Sequence, residues 1–405
     1  MRRFMVVAAV ASLTVAAGAD VPTIDAGSVT ITQRGQQRAR IAYSLSGAPA
    51  IVTVDIRTNG VSVGAANLIS LSGDVNRLVE TDGRHTLTWN VYEDLPGLLV
   101  TDESLTAVVT AWRPECPPDY LAANLSGTKE IRYYTSAEAI PGGVTNDLYK
   151  TEWLLMRKIH ACNKTFRMGA PAAEPGVNSY AEDVHFVTLT NDFYIGVYPV
   201  TQRRGALVGA DLSACTFTNR EDSALRPVNG GCFRSLYGDL CNSRAKRPAL
   251  DSLLRKIHDA TGLDINAPSE AQWEFACRAG TATSLYTGLD IENTTTSERL
   301  GRIAWYAGNA EGETHPVGLK EPNAFGLYDM QGNVCEVVRD KFVDNLDERD
   351  GVDPLITDGN GGILFKGGSF EKSSGQCRIS CRVAENGGWR AASPSYGARC
   401  LITLP

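Results

Sequence analysis

The chain is 405 residues long and 43% apolar, too long for one ordinary core and apolar enough to fill two, so it is globular and not disordered. Its 39 basic and 46 acidic residues leave a formal charge of −7, which excludes a basic face that binds nucleic acid by counterion release.

Arg2 and Arg3 precede an apolar stretch from Phe4 to Ala17, and Ala17-Gly18-Ala19 supplies small residues for cleavage. Residues 1–19 therefore read as a secretion leader. The apolar run is shorter than the ~20 residues that cross a bilayer, and no later segment is longer, so no membrane span is expected in the mature chain. A leader places the protein outside the cytoplasm: secreted, periplasmic or at the cell surface. Ten cysteines, an even number, can pair there, and none forms a CxxC of the zinc type.

From Ser28 to Trp112 apolar residues alternate: Ile41, Tyr43 and Leu45, then Val52, Val54 and Ile56, then Leu87, Trp89 and Val91. Period two between Gly, Asn and Asp turns predicts a small antiparallel β-sandwich over residues 20–113. Asp82-Gly-Arg-His-Thr-Leu-Thr-Trp-Asn90 resembles a late strand of immunoglobulin-like modules. Arg113-Pro-Glu-Cys-Pro-Pro118 interrupts the ladder, since proline lacks a donor, and residues 114–150 read as a polar, strand-poor connector.

Residues 151–405 are rich in glycine and predict two helices. One spans Leu250 to Thr261 with Leu253, Leu254 and Ile257 on one face and is stopped by Gly262. The other starts at Ser269, which with Gln272 forms a capping box, and buries Trp273, Phe275 and Ala276. The five histidines, His85, His160, His185, His258 and His315, fall at no ligand spacing.

The run Gly326-Leu-Tyr-Asp-Met-Gln-Gly-Asn-Val-Cys-Glu336 puts two carboxylates, Asp329 and Glu336, around a glycine turn. An all-oxygen cluster suits a hard cation such as calcium; the same spacing also suits an ordinary Asp/Gly/Asn turn with solvated acids.

Four further segments accompany it: Phe166-Arg-Met-Gly-Ala-Pro171, Phe193-Tyr-Ile-Gly-Val-Tyr-Pro-Val-Thr201, Pro268-Ser-Glu-Ala-Gln-Trp-Glu-Phe-Ala-Cys-Arg-Ala-Gly280, and Lys366-Gly-Gly-Ser-Phe370 followed by Gly397-Ala-Arg-Cys400. In this order they resemble the sulfatase-modifying factor family, the formylglycine-generating enzyme and its relatives, over residues 151–405. The resemblance implies a loop-rich α+β fold related to C-type lectins, here behind the immunoglobulin-like sandwich. It implies a calcium site using the side chains of Asp329 and Glu336 and the main-chain oxygens of Gly332 and Val334. It also implies a Cys277 to Cys381 disulfide, closing a loop of about a hundred residues.

Active relatives oxidise a protein cysteine with oxygen and copper(I), which two thiolates hold just after the Gly-Gly-Ser motif. Here the first position falls on Lys372 and the second on Cys377, with Ser369 retained. An ammonium is a poor substitute for a soft thiolate. The family's tryptophans after Gly-Asn-Val are also replaced, by Cys335 and Val337; Cys335 reads as a new thiol, a small buried hydrophobe or half of a disulfide. The expectation is a secreted, non-catalytic binding or structural module with one calcium site, whose ligand is an extracellular protein or glycan. The alternative is a formylglycine-generating-type oxidoreductase using copper, with Cys377 and Ser369 as its catalytic residues.

Overall fold

The computed structural model describes residues 21–34, 38–97, 105–178, 181–231, 233–238, 247–343, 351–357, 362–385 and 392–405; the expected leader at 1–19 lies outside them. Contacts divide the chain into two compact units. One holds the described residues up to Ala122 with Ile131–Asn146, and the other holds Ala123–Glu130 with Asp147–Pro405.

In the first unit, alternating side chains produce two antiparallel sheets. Arg38–Ser46 pairs along its length with Gly83–Asn90 and on its other edge with Thr30–Arg34. In the second sheet, Ala50–Thr58 pairs with Leu105–Trp112. The inward residues of both, including Ile41, Tyr43, Val52, Ile56, Leu87 and Trp89, form one apolar cluster, as the period-two spacing requires. The one polar atom of Trp89 is satisfied, its Nε1 donating to Asp94 at 2.8 Å. The segment expected to be strand-poor instead carries Tyr120–Asn124 and Ile131–Tyr134. Its buried Tyr120, Leu121, Ala122 and Ala123 explain why it pairs, since a buried backbone must satisfy its donors.

The second unit is strand-rich with short helices. Trp153–Ile159, Phe193–Gly196 and Leu401–Thr403 form one antiparallel array. Cys335–Lys341 pairs antiparallel with Ile363–Lys366, in register at Glu336 and Lys366, and parallel with Tyr396–Gly397, in register at Cys335 and Tyr396. This sheet brings three distant motifs to one end: the 326–336 turn, Gly367-Gly368-Ser369, and the segment ending at Arg399.

Both expected helices form, at Leu253–Thr261 and Glu270–Arg278. Gly262 ends the first at φ 75°, a left-handed value that glycine adopts without a Cβ clash. Helices at Gln202–Leu207 and Glu298–Ile303 were not expected; each begins at a hydroxyl cap, Thr201 or Ser297, but is too short for a readable period.

Ser269 caps the Glu270–Arg278 helix, and the Gln272 side chain returns a bond to the Ser269 main chain at 3.0 Å. Because this helix positions two buried glutamates, its cap matters beyond helicity. Ser269→Ala is expected to destabilise the protein by about 1 kcal/mol in a urea titration, and an unchanged midpoint would refute the role of the cap.

Candidate functional site

Five acids and five bases are buried together in the second unit: Glu174, Glu182, Glu270, Glu274 and Glu336 against Arg278, Lys366, Arg378, Arg382 and Arg399. The Glu270–Arg278 helix presents Glu270 and Glu274 one turn apart, on the same face. Glu274 bonds Arg278 at 2.7 Å, and Lys366 reaches Glu274 at 3.1 Å and Glu270 at 3.4 Å. Arg382 holds Glu270 at 2.8 Å. Arg378 lies between Glu174 and Glu182, at 2.7 and 2.8 Å. Burial alone would raise the Glu274 carboxyl, but Lys366 and Arg278 hold it down to about 2. Among the described residues Asp340 has no such ion pair, and the charge of Arg339 lowers it only in part. It accepts the main-chain amides of Glu270 at 2.7 Å and Ile356 at 2.9 Å, while burial and the charge of Glu270 push its carboxyl up to about 6.

The 326–336 turn is tightly determined. Asp329, Gly332 and Asn333 all have positive φ, 53°, 79° and 60°. A Cβ at Gly332 would stand 2.4 Å from the Trp305 carbonyl oxygen, so only glycine fits. The Asn333 amide clamps the main chain of His315, accepting its N–H at 3.1 Å and donating to its carbonyl at 3.0 Å.

Within the turn, the two carboxylates differ. Glu336 accepts from Arg399 Nε at 2.9 Å through both oxygens, stands 2.7 Å from Arg399 Nη2, and accepts from Trp273 Nε1 at 2.7 Å. Asp329, equally buried, accepts among the described residues from uncharged donors, Gly318 N at 2.7 Å and Asn333 Nδ2 at 3.3 Å. Burial raises its carboxyl above the usual range, and the nearby Glu336 adds to that. A hard cation therefore fits the Asp329 side, where the buried charge meets no cationic partner at contact distance among the described residues, whereas Glu336 is already compensated by Arg399. Among the described residues, no three His, Cys, Asp or Glu side chains converge as a metal-binding group.

The region after Gly-Gly-Ser is hydrogen-bonded to itself. Ser369 Oγ shares a bond with Ser395 Oγ at 2.8 Å, and Ser395 Oγ donates to Glu371 at 2.6 Å. Cys377 is fully buried, and its thiol donates to the carbonyls of Ser369 at 3.9 Å and Lys372 at 4.0 Å. Burial pushes that thiol well above the ordinary range, so Cys377 is not a poised thiolate. Lys372 is half-buried beside it. The second soft donor that copper(I) needs is absent from position 372, and the residues implied by the resemblance do not fit that ion.

Cys277 and Cys381, the pair implied as a bridge, both stand as free thiols in the structure. Cys277 points at the Met330 carbonyl at 4.0 Å, while the charges nearest Cys381 are those of Glu182 and Arg378.

The structure brings Asp329, Gly332, Val334 and Glu336 together on one turn, and Ser369 and Cys377 on the neighbouring one. Sequence reading missed the charge network. Its available signals were two i,i+4 pairs, Glu270 with Glu274 and Arg378 with Arg382, but partners up to two hundred residues away carry no local signature.

Residues 163–404 match the family described as sulfatase-modifying factor enzyme 1-like domain. The chaperone protein LppX of Paenibacillus barcinonensis is 28% identical over 37% of this chain and 62% of its own length. The formylglycine-generating enzyme of Mycobacterium tuberculosis is 34% identical over 28% of this chain and 41% of that protein. The chain thus spans less than two thirds of these relatives. Among solved structures, Treponema denticola variable protein 1 is similar in fold, with a TM-score of 0.50 at 22% identity over 62% of this chain and 96% of that one.

Two measurements check the electrostatics. Lys366→Ala leaves Glu270 and Glu274 short of one partner in a dry site and is expected to destabilise by roughly 3 to 5 kcal/mol. Arg302→Ala, at an exposed pair with Glu321, should leave the urea midpoint unchanged. Asp340 has a folded pKa above its unfolded value, so its contribution is full below about pH 4 and is lost as pH rises through about 6. Between those values the wild type should lose about 3 kcal/mol relative to the slope of Asp340→Asn; equal slopes would refute the assignment.

Proposed function

The chain belongs to the sulfatase-modifying factor family through residues 163–404, and on that premise we propose that it is a secreted, non-catalytic member whose C-terminal unit serves as a calcium-stabilised binding or structural module. The observation that carries this reading is Lys372 standing beside a buried, protonated Cys377. Oxidation through copper(I) needs two soft donors in reach of a substrate; here one is replaced by a cation and the other is sealed in the core.

Calcium would be held by the Asp329 carboxylate and the main-chain oxygens of Gly332 and Val334, with Glu336 sharing its oxygens with Arg399. Its contribution is structural: a fixed positive charge that compensates Asp329 and locks the turn. The lectin-like frame, with the immunoglobulin-like sandwich as its display or tether, suits recognition of an extracellular protein or glycan through loops on a rigid support. The leader-like residues 1–19 support a secreted, periplasmic or cell-surface location.

Titration of the mature protein with copper(I) against a competing chelator, beside Cys377→Ala, tests the loss of catalysis. No Cys377-dependent complex is expected; tight one-to-one binding that disappears in the variant would restore the oxidoreductase reading. Calcium is tested by thermal melting. Chelation should lower the midpoint by about 2 to 4 °C for each kcal/mol of binding and leave Asp329→Asn unmoved, whereas an unmoved wild type would remove calcium from the proposal.

A further inference from the structure

Two buried thiols meet at one residue, Ser369. The Cys377 thiol donates to its carbonyl at 3.9 Å, and the Cys335 side chain lies beside its side chain. Strand register produces the approach. Glu336 lies opposite Lys366, so Cys335, one step earlier, falls beside the Gly367-Gly368-Ser369 turn. At Gly368 the backbone is left-handed, with φ 71°, and a Cβ there would stand 2.4 Å from Cys377 Sγ. The missing side chain is what admits the sulfur against the main chain. On its other side, Cys335 is fixed by its own amide, which donates to the Ser395 carbonyl at 2.7 Å. Both cysteines have no solvent exposure, and both are free.

A third thiol, Cys381, lies close by but is placed differently. Its amide donates to the Arg378 carbonyl at 3.2 Å, and it is 9% exposed, among the charges of Glu182, Arg378 and Lys366. No hydrogen bond joins Cys381 to Ser369. Sharing of that residue singles out Cys335 and Cys377.

We propose that Cys335 and Cys377 form a disulfide when the chain folds in an oxidising environment, tying the start of the Cys335–Lys341 strand to the segment after the Gly-Gly-Ser turn. The step is a two-electron oxidation. Each thiol loses a hydrogen, one S–S bond forms, and a small external disulfide is reduced to two thiols that carry away both electrons and both protons. Because neither sulfur is exposed in the folded protein, exchange takes place before the segments close, and the finished bond is shielded from reductants. Nothing in this pairing requires the non-catalytic reading, which stands or falls on copper binding.

Peptide mapping decides it. The mature chain is refolded in a redox buffer of oxidised and reduced glutathione, unfolded, alkylated and digested with trypsin without reduction. Trypsin separates the three thiols into Glu321–Arg339, Ser373–Arg378 and Ile379–Arg382. The expected product is Glu321–Arg339 linked to Ser373–Arg378, lighter than their sum by two hydrogens and released by reduction. Cys381→Ser should retain this link, and Cys335→Ser should leave Cys377 alkylated. Recovery of alkylated Cys335 and Cys377 from cooperatively folded wild-type protein, or a link from either to Cys381 or Cys277, would overturn the pairing. Since the wild-type map alone decides the question, misfolding of a variant does not protect the proposal.

Discussion

Charge compensation in a dry interior is the constraint on which the second unit depends. Its helices run to nine residues at most among those described for the site, and its strands are short, so long regular elements do not hold it together. Glu270 and Glu274 instead bind Lys366 from the central sheet, Arg382 from the segment beyond it, and Arg278 from their own helix. Arg378 extends the pairing to the loop carrying Glu174 and Glu182. Such a network stabilises little over an apolar core, but removing one member leaves an uncompensated charge. It therefore specifies which loop meets which.

The same logic explains how a fold can persist while its chemistry changes. Arg399 gathers Glu336, the carbonyls of Gly196 and Val197 and the carbonyl of Tyr328, so it joins two sheets and the 326–336 turn through one guanidinium. Neither Lys372 nor Cys377 belongs to this framework. Position 372 can therefore vary without disturbing the charges that hold the second unit together.

Buried cysteines follow from the same packing. The glycines at 367 and 368 bring backbone close to backbone, and sulfur fills spaces where a larger side chain would clash. A thiol in such a place is inert toward a passing substrate, yet well placed to pair with a neighbour while the chain is still open.

Local features were legible from sequence because their causes are local. The Ser269 and Gln272 capping box, the stop at Gly262 and the alternation through Ile41, Tyr43 and Leu45 each depend on residues within one turn or strand, and all are realised. The short helices after Thr201 and Ser297 escaped notice because six residues cannot display a helical period. The 326–336 turn was visible as a cluster of oxygens, but not the fact that Glu336 is matched by Arg399, sixty-three positions away. By itself the sequence determined the family, the elements whose signals are local, and the identity of the residue at 372, since these are properties of identity and spacing. Only the tertiary structure decided which carboxylate is left without a cation, which thiols share Ser369, and which charges compensate one another, because burial and distance arise when segments remote in sequence pack together.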